Sequence, residues 1–239
     1  MKMRVLCLLL FAGSMAQEDM DRNVFLFPSK TVDDYVVLTP MVTEPLDKLT
    51  VCLRSYTDGG RYALFSVGTR KSKIRKIFVI VQDTSHSYPT IYINNTQVSI
   101  PAKADVLEWN HYCVTWDSNT GVLQLWVNGK VSLRKILKKG YSIDLQDGIS
   151  LGQMQRDYWE ELDPDLSFEG EISDVHMWNE VLSPKTIRRV LLNNREINGN
   201  VISWRSLNYT INGDVIVQPK LQCRFSTKSG SSRRECSIN

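Results

Sequence analysis

The octet His111-Tyr112-Cys113-Val114-Thr115-Trp116-Asp117-Ser118 alternates in the manner of a buried β-strand. Its apolar even-numbered side chains are predicted to face one side of a sheet and its odd-numbered side chains the other. Residues 117–121 then form a turn, and residues 122–127 return as a second strand. Asn128-Gly129 follows, a pair that favours a type I′ turn because both central residues need positive φ. The stretch therefore predicts two successive hairpins around Cys113.

Short apolar runs separated by turn residues recur along the rest of the chain. They predict further strands at 24–28, 35–38, 46–56, 62–67, 77–81, 201–204 and 214–217, and a hairpin at 91–100 that turns at Asn94-Asn95. Strands this short at regular spacing indicate a sandwich or a barrel. The fold class is therefore all-β.

One region has helical rather than strand periodicity. Ser183 is a good N-cap and Pro184 suits the first helical position, after which Ile187, Val190 and Leu191 recur at helical spacing. We expect one clear helix at 185–193. From Pro219 onward the composition turns to Ser, Arg and Lys, which predicts a loose tail.

The first residues of the 239-residue chain have the pattern of a secretory signal peptide. Residues 1–16 combine a basic start, an apolar run too short to span a bilayer and small residues before Gln17. The expected protein is secreted, without a transmembrane segment. Removing Lys2 and Arg4 lowers the formal charge from +3 to +1, which gives no support to nucleic acid as a primary partner.

Of the five cysteines, Cys7 leaves with the signal peptide, and the other four remain in an oxidising compartment. Three pairings are formally possible. Cys52 and Cys113 each lie in the middle of a predicted strand, which favours a bond between strands. Cys223 and Cys236 then either close a small loop in the tail or pair between chains.

The octet also matches the signature His-x-Cys-x-Ser/Thr-Trp-x-Ser/Thr of the pentraxins, and the whole mature chain resembles a short pentraxin from about Gln17 to Leu221. Further matches, in order, are 25–28, 49–53, 125–130, 137–141, 151–153, 175–178 and 182–184. The resemblance implies a two-sheet antiparallel jelly roll (a lectin-like sandwich of the concanavalin type) with one helix on a face, as a pentraxin domain at 17–222 followed by a tail at 223–239. It also implies the Cys52–Cys113 disulfide and a homopentamer, in some cases a stacked decamer.

Pentraxins hold two calcium ions on one face, and the resemblance implies calcium as the cofactor. Calcium takes six to eight oxygen ligands. An ungapped comparison puts other residues at most of the ligand positions: Lys73 and Ile74 for an Asp-Asn pair, Met154 for a glutamate, Arg156 for an aspartate and Leu166 for a glutamine. A remnant is left at Gln155, Asp163 and, with a one-residue shift, Asp157. We expect that this remnant does not hold two ions.

The family's choline pocket is also altered, because Val79 replaces its phenylalanine and Gln97 its carboxylate. In its place the candidate ligand-binding residues are the basic segment Arg70–Lys76, with Lys71, Lys73, Arg75 and Lys76, and Trp159 in the acidic segment 157–165. One hypothesis is that the Lys73 ammonium takes the place of the cation and joins the two loops. The alternative is that both loops are solvated and mobile, and that Trp159 packs on its own loop.

Other chemistry receives less support from the sequence. Glu169 and Glu171 share a strand face but lack the Glu-x-Asp-x-x-Glu pattern of jelly-roll glycosidases, so we expect no enzyme. The three histidines are widely spaced, which argues against zinc. Asn94 and Asn208 begin glycosylation sequons, and the first lies at a hairpin tip.

Function is therefore expected from the resemblance: a ring-forming binding protein of innate immunity, of acute-phase type. Expected family partners are phospholipid headgroups, polyanions, glycans and complement-type proteins, with the ring itself as a homo-oligomer. Two alternatives stay open beside calcium-dependent binding. One is metal-independent binding of a polyanion such as heparin through Arg70–Lys76, and the other is a structural coat protein of the extracellular matrix whose tail cysteines link rings.

Overall fold

A computed structural model of the chain describes residues 18–68, 76–83, 88–146, 148–154, 163–228 and 231–238, with the backbone alone at Asp83 and from residue 222 onward. The strands are β1 (Asn23–Phe27), β2 (Tyr35–Leu38), β3 (Lys48–Tyr56), β4 (Tyr62–Val67), β5 (Phe78–Asp83), β6 (Tyr88–Ile93), β7 (Thr96–Ser99), β8 (Asn110–Asp117), β9 (Val122–Val127), β10 (Lys130–Val131), β11 (Lys135–Ile136), β12 (Ile149–Leu151), β13 (Gly170–Trp178), β14 (Tyr209–Asn212), β15 (Ile216–Pro219), β16 (Leu221–Lys228) and β17 (Ser231–Ile238). Within the described residues, one α-helix, α1, spans Pro184–Leu191, and 3-10 turns span Pro164–Leu166 and Trp204–Ser206.

Two antiparallel sheets form the body of the molecule. The first runs in the order β10-β9-β8-β3-β13-β1-β15, with β11 also paired to β9, and the second in the order β14-β2-β12-β4-β5-β6-β7. Their inner faces enclose one large core that contains Tyr112, Val114 and Trp116 of the octet, all fully buried. The alternation of the octet thus decides which of its side chains enter the core.

The outer face of the first sheet carries the helix. Cys52 and Cys113 are directly opposite in the β3–β8 register and form a disulfide bond. This bond lies in a second apolar cluster with Trp126, Trp178 and Ile187, the last of which is a residue of α1. The apolar stripe of the helix therefore rests on the disulfide.

The predicted turns and helix start are confirmed. Asn94 and Asn95 both have positive φ between β6 and β7, and Asn128 and Gly129 do so between β9 and β10. Ser183 caps α1, because its side chain accepts a hydrogen bond from the N–H of Thr186. The all-β fold and the Cys52–Cys113 pair are also confirmed.

Two local predictions are wrong. Residues 201–204 do not form a strand: a single bridge joins Ile202 to Met177, and a 3-10 turn begins at Trp204. The buried Trp204 ring packs edge-on against Phe25, with 5.3 Å between ring centroids, and this packing takes precedence over strand propensity. The tail is not loose either, since β16 and β17 pair into a two-stranded sheet.

Candidate ligand-binding face

An apolar cluster lies on the outer face of the second sheet. In β5, Phe78 and Ile80 point into the main core, whereas Val79 and Val81 belong to a separate cluster with Ala63, Met154 and Leu166. Every residue of this outer cluster is at most 3% exposed. Because outward-facing strand residues are ordinarily solvated, the cluster depends on its cover, which Met154 and Leu166 supply.

The two covering residues are held by hydrogen bonds. The N–H of Asp163 donates to the carbonyl of Met154 at 2.9 Å, and the N–H of Leu166 donates to the carbonyl of Asp163 at 3.0 Å. Asp163 also caps the 3-10 turn, since its Oδ1 accepts from the N–H of Asp165 at 3.1 Å. Beside them, the buried Gln153 donates through Nε2 to the carbonyl of Thr31 at 2.6 Å. The backbone here is therefore fixed by its own contacts.

The described residues do not fit a calcium site. Met154 and Leu166, which the ungapped comparison puts at two oxygen-ligand positions, have side chains without a carboxylate or carbonyl and are buried among Val79 and Val81. Asp163 is the one carboxylate of the expected remnant that is described, and its Oδ1 already accepts a backbone hydrogen bond. Six to eight oxygens are not available from such a set. Gln155 and Asp157, the other two remnant residues, lie outside the described residues, as does Arg156.

Most of the basic segment also lies outside the described residues, including Lys71, Lys73 and Arg75, and so does Trp159. Its last residue, Lys76, is described. The Lys76 Nζ lies 4.9 Å from the centroid of the Tyr92 ring, and Tyr92 packs against the outer apolar cluster. The basic segment thus ends beside the outer apolar cluster, and the ammonium group of Lys76 lies over the face of the Tyr92 ring.

The sequence did not predict a buried ion cluster on the first sheet, formed by Arg54, Asp174 and Lys220. The Asp174 Oδ2 lies 3.2 Å from Arg54 Nε and 2.5 Å from Lys220 Nζ. Lys220 Nζ also donates to Ser173 Oγ at 2.9 Å. Burial raises the pKa of Asp174, but the charges of Lys220 and Arg54 and the hydrogen bond from Lys220 outweigh it, so that this pKa lies below its usual value.

A bulge in β13 is what brings Asp174 into this cluster. The register against β3 shifts between Ser173 and His176, and Asp174 has a φ of +53°. An irregularity of this kind re-aims a side chain, but it is not encoded by a periodic pattern. The residues that matter here, Arg54, Asp174 and Lys220, lie far apart in sequence, and no motif connects them.

The surroundings of the two buried histidines, His111 and His176, suit packed, neutral rings rather than metal ligands. His111 lies within ligand distance of Cys52 and Cys113, the one such grouping found among the described residues, but both sulfurs are committed to the disulfide. Burial, together with the nearby Arg54, lowers the pKa of His111 to about 3. His176 Nδ1 accepts hydrogen bonds from the N–H groups of Gly199 at 3.3 Å and Trp204 at 3.4 Å. Burial lowers the pKa of His176 to about 4. Both rings are therefore neutral at physiological pH.

The carboxylates considered for catalysis are not arranged as a pair on one strand. Glu169 is exposed and precedes β13, whereas Glu171 lies within β13 and is half-buried. Burial raises the pKa of Glu171, and the charge of Lys220 partly offsets this rise.

The two sequon asparagines lie in loops. Asn94 is in the β6–β7 turn, and Asn208 immediately precedes β14. No helix in the described ranges is long and apolar enough to cross a membrane.

The family model and the curated relatives point to one family. The model described as the Pentaxin family matches residues 23–219. C-reactive protein of Xenopus laevis is 45% identical over 214 residues, which cover 89% of this chain and 90% of that protein. Serum amyloid P-component of Cavia porcellus is 38% identical over 213 residues, covering 89% and 94%. The solved structure of a native heptameric SAP-like pentraxin from Limulus polyphemus superposes with a TM-score of 0.72 at 22% identity, covering 84% of this chain and 96% of that one, and shares the fold.

Proposed function

The chain belongs to the pentraxin family, and from this premise we propose that it is a secreted, ring-forming pattern-recognition protein of innate immunity that binds ligands without catalysing a reaction. The family match and the relatives named C-reactive protein and serum amyloid P-component support this proposal. A ring presents several copies of one site on one face, so that weak individual binding becomes strong overall binding.

The ligand face of this protein works without calcium. The burial of Met154 and Leu166 is the main support for calcium independence. Both side chains lie in an apolar cluster, at positions where the ungapped comparison puts oxygen ligands of the family. To ligate calcium, the chain around them would have to expose apolar surface to water and bring in new oxygens. The burial of Val79 and Val81 opposes that rearrangement by a few kcal/mol.

Calcium titration of the purified mature protein by calorimetry tests the proposal. We expect no heat of binding in the micromolar to millimolar range, and no rise in melting temperature on adding calcium. The matched control restores the family's ligands in one variant, K73D/I74N/M154E/R156D/L166Q, which is expected to gain calcium-dependent heat if it folds. Binding of two ions per chain by the unaltered protein would refute metal independence, and calcium-bridged recognition would replace it.

The ligand in this proposal is an anionic chain of the heparin type, bound by the basic segment Arg70–Lys76. Lys76 supports it, because this cation lies at the margin of the apolar cluster and is held over Tyr92. Closely spaced Lys and Arg side chains attract polyanions, and the attraction weakens as salt rises.

Retention on a heparin column, measured as the eluting salt concentration, tests this ligand. The variant K71A/K73A is expected to elute at clearly lower salt than the unaltered protein. The variant K185A/R188A removes the same charge from exposed positions of α1 and serves as the control. Equal losses in the two variants would mean that net charge, rather than the basic segment, determines retention.

Ring formation is supported by apolar side chains on one edge of the first sheet. Val131, Leu133 and Ile136 are 55%, 82% and 68% exposed in the single chain, on and between the edge strands β10 and β11. Exposed apolar side chains grouped in this way mark interaction sites. In a ring, each copy presents this edge to a different surface of its neighbour, a heterologous contact that closes on itself.

A further inference from the structure

The C-terminal hairpin holds two cysteines in register. β16 and β17 pair antiparallel over their full length, and Cys223 lies directly opposite Cys236. Cα atoms of directly opposite residues in antiparallel strands are about 4.5–5.5 Å apart, which is within the range that a disulfide spans. The fold therefore places the two remaining cysteines of the mature chain at bonding distance in the same molecule.

The two cysteines also share a face of the hairpin. Alternation puts Cys223 on the same face as Leu221 and Phe225, and the register adds Cys236 and Ile238 from the other strand. The same face also carries Arg234, the register partner of Phe225, whereas Arg224, Lys228, Arg233 and Glu235 fall on the opposite face. The register therefore brings both cysteines to one face, near the open end of the hairpin.

The entrance of the hairpin is fixed to the body of its own chain. Immediately before β16, the N–H of Lys220 donates to the carbonyl of Arg22 at 2.7 Å, and its Nζ is held by Asp174 and Ser173. The hairpin itself forms a separate two-stranded sheet. A two-stranded hairpin is marginally stable in water, so a covalent link between its strands has a clear structural use.

We propose that Cys223 and Cys236 form an intrachain disulfide that closes the C-terminal hairpin. The Cys52–Cys113 bond establishes that the folded chain is compatible with an oxidising compartment. One Sγ–Sγ bond forms and two S–H bonds are lost. The two electrons and two protons pass to a small-molecule or protein disulfide, such as oxidised glutathione, which is reduced to two thiols.

This inference does not rest on the proposed function, and it bears on one alternative to it. With both tail cysteines joined within one chain, none is left to link one chain to another. A coat held together by tail disulfides is then excluded, whatever the ligand face binds.

Peptide mapping of the secreted, full mature protein tests the proposal. Trypsin without prior reduction is expected to release residues 221–224 joined to residues 235–239, because cleavage follows Lys220, Arg224 and Arg234. On a non-reducing denaturing gel the same protein is expected to run entirely as monomer. Thiol titration in denaturant is expected to find no free thiol in the unaltered chain.

The single variants C223S and C236S distinguish the arrangements further. In each, the partner cysteine is expected to become free and to react with one equivalent of thiol reagent per chain. The double variant C223S/C236S is expected to return to no free thiol while retaining the Cys52–Cys113 link. A dimer band that disappears on reduction, or two reactive thiols in the unaltered chain, would overturn the proposal.

Discussion

Asp174 is the single anion of the described ion cluster that contacts both Arg54 and Lys220. All three side chains are largely buried, with 10%, 17% and 15% of the side chain exposed respectively. Arg54 also donates to the carbonyl of Leu191 at 2.5 Å, and Lys220 Nζ lies 4.5 Å from the centroid of the Trp109 ring. One carboxylate therefore connects β3, the end of α1 and the start of the C-terminal hairpin.

The variant Asp174→Asn is expected to lower the free energy of unfolding by about 3 kcal/mol, because it leaves two buried cations without their counter-charge. Asn tolerates the positive φ at this position, so the backbone is preserved. Urea unfolding measures the change. The control is Asp117→Asn, whose partner Lys48 is 44% exposed at 3.4 Å. That control is expected to cost less than about 1 kcal/mol, and equal losses would contradict the assigned role of Asp174.

The buried histidines predict sensitivity to acid. The folded pKa values of His176 and His111, about 4 and about 3, lie below the ordinary 6.5, so their contribution to stability is complete above pH 6.5 and is lost as pH falls. Asp174, Asp21 and Arg205 act on His176, but burial has the largest effect. Each ring contributes a slope of up to about 1.4 kcal/mol per pH unit below pH 6.5.

Urea midpoints measured from pH 8 to pH 4.5 test this expectation. They are expected to be flat from pH 8 to pH 7 and then to fall. His176→Asn keeps a hydrogen-bond acceptor without a titrating group and is expected to make the fall shallower. An unchanged slope in that variant would show that His176 has the same pKa in the folded and unfolded states, which would contradict the expectation.

At the scale of elements, patterns of neighbouring residues predicted strands, turns and the helix correctly wherever packing against distant residues did not favour another conformation. The octet, the Asn-Gly turn and the Ser-Pro helix start all depend on neighbours in sequence, and the structure contains each as predicted. Residues 201–204 have strand-like composition, but the position of Trp204 is decided by Phe25, far away in sequence. The tail was predicted to be loose from its composition, although apolar and polar residues alternate over 221–226, in the first strand of the hairpin that forms.

The N-cap of α1 offers a test at this scale. Ser183→Ala removes the acceptor for the N–H of Thr186, which lies 3.2 Å from Ser183 Oγ, and is expected to cost about 1 kcal/mol in urea unfolding. Ser183→Asp retains an acceptor and adds a negative charge at the helix N-terminus, so its stability is expected to match or exceed that of the unaltered protein. A loss as large as that of the Ala variant would mean that the cap hydrogen bond contributes nothing.

At the scale of the whole molecule, the sequence predicted which calcium ligands are replaced, but it did not predict that the replacing side chains form a buried apolar cluster. Met154 and Leu166 were identified as departures from the family, one residue at a time. That they join Val79, Val81 and Ala63 in one cluster depends on how the sheet and the covering loop meet in three dimensions. The Asp174 cluster was not predicted for the same reason, since its members come from three separate strands or loops.

Assembly is tested at the exposed edge of the first sheet. Leu133→Glu places a charge at the centre of Val131, Leu133 and Ile136 and is expected to convert the assembled protein into a folded monomer in sedimentation experiments. Leu192→Glu alters a leucine that is 71% exposed at the end of α1 and is expected to leave the assembly intact. Unchanged sedimentation of Leu133→Glu would remove this edge from the ring contact.

The position of the Cys52–Cys113 bond beneath α1 has a kinetic consequence. Both half-cystines are fully buried, and Ile187 and Leu182 cover them from the helix side. A reducing thiolate needs a clear line of approach to a sulfur atom, so attack waits until the helix lifts from the sheet. The speed at which dithiothreitol cleaves this bond in the folded protein then measures how often α1 detaches, and the bond serves as a built-in reporter of local opening.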